Sequence, residues 1–525
     1  MSPRSERTPL LADHHPRTSE DSLRRAEEED AALHGGTVAL APRRTSGLRE
    51  PTPPPLPTPV APSDPSTGGP YISSSKKKRN LIFMVSDGMG PASLSLTRSF
   101  RQFTSSLPID DVLTLDSHFW GTSRTRSTNS LVTDSAAGAT AFSCGRKSYN
   151  GAISMLPGHR PCGTVLEAAK RKGFATGLVV TTDVTDATPA CFAAHVDWRM
   201  QNDEIALQEV GEGPLGRSVD LILGGDRAGF DELGMGKNVT LPMLGLFAAA
   251  DVPFEIDRRN MADVYPSLSE MAITALTALE EATKDSEEGF FLMIEGSRID
   301  HAGHINDPAA QVREVLEYDK TFKIVLDFLE KSDTEGILVA TSDHETGGLA
   351  TAWQAPNELP VYNWHPAILA KANASAEYCS VLLRQHIAAS PLEPHDALID
   401  WINSELVVRR LGIPDAIEIE LNALATNPFA AVNIFAKMVS MRARVGWSTH
   451  GHSAVDVNIY SSGGVGAEKI RGNVENTDIG RFLAAYLDVD VEEITKELED
   501  KLKGEEVLDD MAVDEAGVGM RGGVG

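Results

Sequence analysis

Leu81-Ile82-Phe83-Met84-Val85-Ser86-Asp87 sets the fold class of this chain, because five consecutive apolar residues run into a carboxylate. A continuous run of that length without polar alternation suits a strand covered on both faces, and such strands build parallel sheets. The run starts just after the cationic cluster Lys76-Lys77-Lys78-Arg79, where the composition changes abruptly and globular sequence begins. Similar runs recur at Gly177-Leu178-Val179-Val180, Phe290-Phe291-Leu292-Met293-Ile294 and Ile337-Leu338-Val339-Ala340, separated by amphipathic helical stretches at 163–172, 266–284 and 306–330. Strands alternating with helices predict an α/β fold, a central and mostly parallel sheet with helices on both faces. The alternating run Val455-Asp456-Val457-Asn458-Ile459-Tyr460 fits an edge strand. Between about 349 and 440 the repeat is interrupted by Pro-, Asn- and Ala-rich sequence, which predicts an inserted subdomain.

Ligands of open α/β sheets bind beyond the carboxyl ends of the strands. Asp87 follows the first run, Asp183 and Asp186 the second, Glu295 ends the third, and Asp343-His344 ends the fourth. Asp at a strand end is also a common turn former. Four such ends in succession are harder to explain that way, and several acids at one sheet edge repel one another unless cations neutralise them. Asp300-His301-Ala302-Gly303-His304 adds a carboxylate and a histidine at i, i+4, which a helical turn sets on one face at ligand spacing. These residues point to a metal cluster.

Ser135 is the candidate nucleophile, in Asp134-Ser135-Ala136-Ala137-Gly138-Ala139-Thr140-Ala141, where a loop turns into an Ala-rich helix. Asp-Ser before an Ala run is equally a good helix cap, and the two roles are compatible because a helix N-terminus favours an alkoxide and an incoming phosphate. No serine-histidine-carboxylate order is evident, so metal coordination is the expected source of activation.

A chain of 525 residues exceeds the usual size of one core. Its formal net charge of -27 repels nucleic acid over most of the surface. It also repels phosphate esters, so a site for them needs local positive charge from metals or Arg. The four cysteines, Cys144, Cys162, Cys191 and Cys379, include no C-x-x-C pair, which excludes a cysteine-rich zinc site and leaves three pairings if all are oxidised. Residues 1–79 are rich in Pro, Ser, Thr and Arg and read as a disordered tail, with Glu6-Arg7-Thr8-Pro9-Leu10-Leu11 matching an acidic dileucine signal read by adaptor proteins. Residues 80–490 are then the catalytic domain, and 491–525 an acidic helix running into a Gly-rich, mobile end. Asn238-Val239-Thr240 and Asn373-Ala374-Ser375 are glycosylation sequons, whereas no run is apolar enough for a membrane span or a secretory signal.

Six segments taken together resemble the alkaline phosphatase family, most closely its fungal vacuolar type. They are Val85–Gly90, Thr133–Thr140, Asp186–Ala190, Ile294–His301, Thr341–Gly348 and Thr449–His452, in family order from about 80 to 460. The resemblance implies a non-specific phosphate monoester hydrolase with a phosphoserine at Ser135. It implies two zinc ions and one magnesium: a first zinc at Asp300, His304 and His452, a second at Asp87, Asp343 and His344, and magnesium at Asp87, Thr188 and Glu295. Asp186 and His301 fall where the family varies and tune the third site, and His450 is a rival to His452. Arg199, in Val196-Asp197-Trp198-Arg199, matches the arginine that grips phosphate with two parallel hydrogen bonds. Expected partners are small phosphate monoesters, with phosphopeptides as a second class, and a second copy of the chain in a homodimer. The resemblance also implies the vacuolar membrane or lumen, where relatives have a cytosolic tail, a signal anchor and a lumenal enzyme. No anchor helix is visible before Lys76, and the dileucine segment favours loss of that segment over a variant without it. Two rivals stand beside this reading. One is another enzyme of the same superfamily, a phosphodiesterase, sulfatase or phosphomutase; the other is an acidic cation-storing module, which has no need of Ser135 or Arg199.

Overall fold

The computed structural model describes residues 78–225 and 235–503. The Glu6–Leu11 segment and the Gly-rich end lie outside them. Within them the apolar runs are strands. In chain order these are β1 (Arg79–Val85), β2 (Phe119–Arg124), β3 (Ala175–Val179), β4 (Leu221–Gly224), β5 (Met243–Leu246), β6 (Phe290–Glu295), β7 (Glu335–Thr341), β8 (Val457–Ser461) and β9 (Gly472–Glu475). They form one nine-stranded sheet in the order β9-β2-β8-β7-β1-β6-β3-β4-β5. Strand β8 runs antiparallel to both β2 and β7, and the other pairings are parallel.

The alternate residues of β1 explain why its sequence does not alternate. Leu81, Phe83 and Val85 pack on one side with Val165, Leu166 and Phe482, while Ile82 and Met84 pack on the other with Leu276, Leu279 and Phe322. Both faces are dry, so every position must be apolar. The covering helices include α1 (Ser135–Cys144), α2 (Val165–Lys172), α3 (Ala187–Ala193), α4 (Leu268–Thr283), α5 (Arg298–His304) and α6 (Pro308–Lys331). Their starts follow capping rules: Thr164 and Ser267 make capping boxes with Glu167 and Glu270, and Asp307 caps α6 ahead of Pro308.

Two expectations are corrected. Val457–Ser461 is not at the edge of the sheet but lies between β2 and β7, because Phe119–Arg124 and Gly472–Glu475 pair beyond it. The acidic segment after 490 is helical over 491–503, as expected, but it is not a separate tail: buried Ile494 and Leu498 pack with Ala168 and Leu215, so the packed body runs past the expected boundary at 490.

The interrupted stretch after 349 holds the helices Pro366–Lys371, Ala376–Ala389, His395–Trp401, Glu418–Thr426 and Ala431–Ala443. They share a core of Leu369, Leu383, Ile402, Leu406, Phe435 and Val439. The chain leaves and re-enters the main body at one point, since Ala350–Thr351 pairs antiparallel with Val445–Gly446. Just inside that pairing, Glu345–Thr346 pairs with His452–Ser453. The excursion thus returns His452 to the end of β7.

Candidate active site

Register gathers the acids. Val85 of β1 lies beside Glu295 of β6 and Thr341 of β7, so Asp87, Glu295 and Asp343-His344 emerge from three adjacent strand ends. Gly88 has φ +72, and a Cβ there would meet the Asp300 Cα at 2.6 Å. Only glycine both tolerates that backbone and lets helix α5 approach the end of β1. Asp186, beyond β3, caps α3 by accepting the Ala187 N–H at 2.7 Å. Asp183 forms the turn before it, its carbonyl accepting the Asp186 N–H at 3.1 Å, and it belongs to neither candidate ligand group.

Helix α5 sets Asp300 and His304 one turn apart, with His304 Nε2 3.2 Å from Asp300 Oδ2. His452 Nε2 lies 3.2 Å from His304 Nε2 and 3.7 Å from Asp300 Oδ1, and its ring stacks on His344 at 3.5 Å. Its Nδ1 meets the Thr133 carbonyl at 2.8 Å, which aims Nε2 at the cluster. His450, the rival, is exposed and has its Nδ1 on the His304 carbonyl instead. Asp300, His304 and His452 offer ligand atoms that lie within 4.8 Å of one another, and so do Asp87, Asp300 and His344. Asp343, expected in the second group, sits beside it, with Oδ2 3.2 Å from His344 Nε2.

These groups are buried and crowded. Burial first, then Asp343, Asp300 and Glu295, hold the Asp87 carboxyl well above its usual range. Glu295 is pushed up to about 8, chiefly by burial and with Asp186 nearby, although Ser297 Oγ donates to it at 2.7 Å. Asp343 is raised to about 7 by burial and by Asp300. Burial works against ionised Asp300 too, but His304, His452 and His344 outweigh it and lower that group. Like charges 4 Å apart cost about 4 kcal/mol at an intermediate dielectric, so the metal-free cluster relieves itself by keeping protons. Divalent cations do the same and also satisfy donors: Asp87 Oδ1, Asp343 Oδ2 and Thr188 Oγ1 are buried without a hydrogen bond among the described residues. The oxygen and imidazole donors fit zinc and magnesium.

Ser135 begins α1, and Asp134 caps it by accepting the Ala137 N–H at 3.0 Å. Ser135 Oγ lies 3.0 Å from His344 Nε2. The other nitrogen of His344 faces the Thr346 hydroxyl at 3.2 Å, not a carboxylate, so the pair is not part of a serine triad. Arg199 is largely buried, with Nη2 2.9 Å from Asp186 Oδ1 and Nη1 3.7 Å from Asp134 Oδ2.

Sequence reasoning missed the cradle behind these groups. Gly151 N–H donates to Asp134 Oδ2 at 2.8 Å, and the Gly151 carbonyl accepts the Arg199 N–H at 2.8 Å, so one loop residue ties Asp134 to Arg199. Asp251 was missed as well. It lies 3.3 Å from His301 Nδ1, five residues beyond the end of β5, a strand of only four residues.

The model of the alkaline phosphatase family matches residues 78–236 and 232–489. The chain is 50% identical over 485 residues to the repressible alkaline phosphatase of Saccharomyces cerevisiae, an alignment covering 82% of this chain and 84% of the yeast protein. It is 45% identical over 466 residues to an alkaline phosphatase of Schizosaccharomyces pombe, covering 81% and 84%. Among solved structures, a cold-active alkaline phosphatase from Shewanella sp. superposes with a TM-score of 0.66 at 30% identity, covering 78% of this chain and 99% of that one.

Proposed function

This chain belongs to the alkaline phosphatase family and is a phosphate monoester hydrolase, and on that premise we propose that it works through a phosphoserine on Ser135 beside two zinc ions and one magnesium. Asp300, His304 and His452 would hold the first zinc, Asp87, Asp343 and His344 the second, and Asp87, Thr188 and Glu295 the magnesium, with Asp186 at its margin. Bound there, the cations supply Lewis-acid charge to the oxygens entering and leaving phosphorus.

One contact carries the reading. Ser135 Oγ sits 3.0 Å from Nε2 of His344, itself a candidate ligand, so nucleophile and ligand meet at one point. Ser135 Oγ gives up its hydroxyl proton and forms a bond to phosphorus as the ester P–O bond breaks, and the leaving alcohol oxygen takes up one proton. In the second half, a water oxygen loses a proton and bonds to phosphorus, the Oγ–P bond breaks, Ser135 Oγ regains a proton, and inorganic phosphate departs. Asp134 and Gly151 hold Arg199 and Ser135 in register for both halves, and Arg199 presents its planar fork to two phosphoryl oxygens.

A lumenal, glycosylated form of the protein, at the vacuolar membrane or in the vacuole, is part of the same proposal. Supporting it are the Cys144–Cys162 disulfide, which suits an oxidising compartment, and the exposure of both sequon asparagines, Asn238 and Asn373. Among the described residues no helix is long and apolar enough to cross a membrane. Homodimerisation is supported by the exposed Leu359, Tyr362, Leu392 and Phe429 of the insertion. Phosphopeptides as further substrates and adaptor recognition of Glu6–Leu11 are carried by sequence alone.

The test is to mix enzyme with excess aryl phosphate, quench in mild acid and map the protein-bound phosphate. Label on Ser135 is the expected result, and hydrolysis without any bound label overturns the phosphoserine.

A further inference from the structure

We propose that Asp251 is a positioning residue for His301 and, through it, for the Asp186–Arg199 pair that receives the phosphate. This rests on the reading above. Asp251 Oδ2 lies 3.3 Å from His301 Nδ1 and 3.6 Å from Arg298 Nη1. Arg298 is an immobile anchor. It is 2% exposed, donates from Nη1 to the Val252 carbonyl and from Nη2 to Glu377 Oε2, both at 2.9 Å, and lies 3.8 Å over the Phe254 ring. A carboxylate beside such a cation has little freedom, so the acid on the His301 ring is held from behind.

The opposite ring nitrogen, His301 Nε2, is 4.0 Å from Asp186 Oδ2, and Asp186 Oδ1 is 2.9 Å from Arg199 Nη2. His301 thus spans two carboxylates, one on the far loop of the sheet and one on the phosphate side. An imidazole has two nearly isosteric flips, and the partner on one nitrogen decides what the other faces. With Asp251 present, the ring is held with Nε2 4.0 Å from Asp186 Oδ2, packed against the carboxylate whose Oδ1 meets Arg199 Nη2. Without Asp251 the ring is released and Asp186 turns fully to Arg199, holding the guanidinium back from phosphate. Asp251 touches no reacting atom in this scheme.

A double-mutant cycle separates this from simple support of the fold. In the zinc- and magnesium-loaded protein, Asp251→Ala should raise the inhibition constant of inorganic phosphate about fivefold or more, the scale of one lost polar contact, with a smaller change in kcat. Asp251→Asn, which keeps an oxygen of the same reach beside the ring, should return to within about twofold of the parent. In a His301→Ala background, Asp251→Ala should add less than about twofold. An equal effect in both backgrounds, or unchanged phosphate inhibition in Asp251→Ala, overturns the inference even if label is trapped on Ser135. Absence of trapped label in the parent enzyme instead overturns the underlying reading.

Discussion

Ser135 Oγ and His344 Nε2 lie 3.0 Å apart although 209 residues separate them. Ser135 starts α1, His344 follows β7, and their meeting is fixed where α1 passes the end of that strand. Gly138 marks the crossing, since a Cβ there would meet the Asp343 Cβ at 2.9 Å. Ser135→Ala should therefore remove the nucleophile and little else. Turnover should drop by orders of magnitude, while inorganic phosphate still binds through Arg199 and the cations. Calorimetric titration of phosphate beside single-turnover hydrolysis checks both halves. Near-normal turnover would remove Ser135 from its role.

Metal removal should act on chemistry and fold together. Asp87 Oδ1, Asp343 Oδ2 and Thr188 Oγ1 are buried without hydrogen bonds among the described residues, and several acids crowd the same strand ends. Chelation followed by dialysis should abolish activity, zinc should restore most of it, and magnesium should raise it further. The melting temperature should rise with each addition, because ions that bind only the folded chain stabilise it. Full activity in chelated, dialysed protein would end the metal model.

The four long parallel strands and the acids gathered at their ends were legible because buried strands write continuous apolar runs, and their ends write Asp87, Glu295 and Asp343 in plain sequence. The edges were not. Met243–Leu246 and Gly472–Glu475 are four residues each, too short for a strand period to stand out. Val457–Ser461 misled for another reason: its alternation suggested an edge position, yet Phe119–Arg124 pairs along its outer side and Gly472–Glu475 pairs beyond that. His452 could be chosen over His450 only by resemblance. The physical choice is made by pairing of Thr346 with His452, which turns that ring inward. Asp251 stands just after the apolar stretch 242–250, but its approach to His301 of α5 is made by tertiary packing and is not written in local sequence.

Glu314 gives a pH prediction independent of the metal groups. Burial pushes its carboxyl up to about 8, even though it accepts the Glu255 N–H. A group whose folded pKa is raised contributes fully to stability below its unfolded value, here about 4.5. That contribution is lost as pH rises through about 8. Stability should thus decline between about pH 5 and 8.5, and Glu314→Gln, neutral throughout, should reduce the decline by about 1 to 3 kcal/mol. Denaturant unfolding of both proteins across that range measures it. Identical pH profiles would mean that Glu314 does not titrate there.

Arg199 separates phosphate binding from chemistry. Its guanidinium is held by Asp186 on one side and lies near Asp134 on the other, and its backbone N–H is fixed by the Gly151 carbonyl. The fork is therefore held by fixed partners before any anion arrives. Arg199→Lys keeps the charge but replaces that fork with a single ammonium, which cannot make two parallel hydrogen bonds to phosphoryl oxygens. Asp186 would also compete for the shorter, mobile cation. Phosphate affinity should fall roughly ten- to a hundredfold, since one charge-assisted hydrogen bond is worth about 1.5 to 3 kcal/mol. Turnover should suffer less than in Ser135→Ala, because the nucleophile and the ligand groups are untouched. Phosphate inhibition constants and kcat for the zinc-loaded variant test the claim. If phosphate affinity were unchanged, Arg199 would be a structural partner of Asp186 and not the phosphate grip.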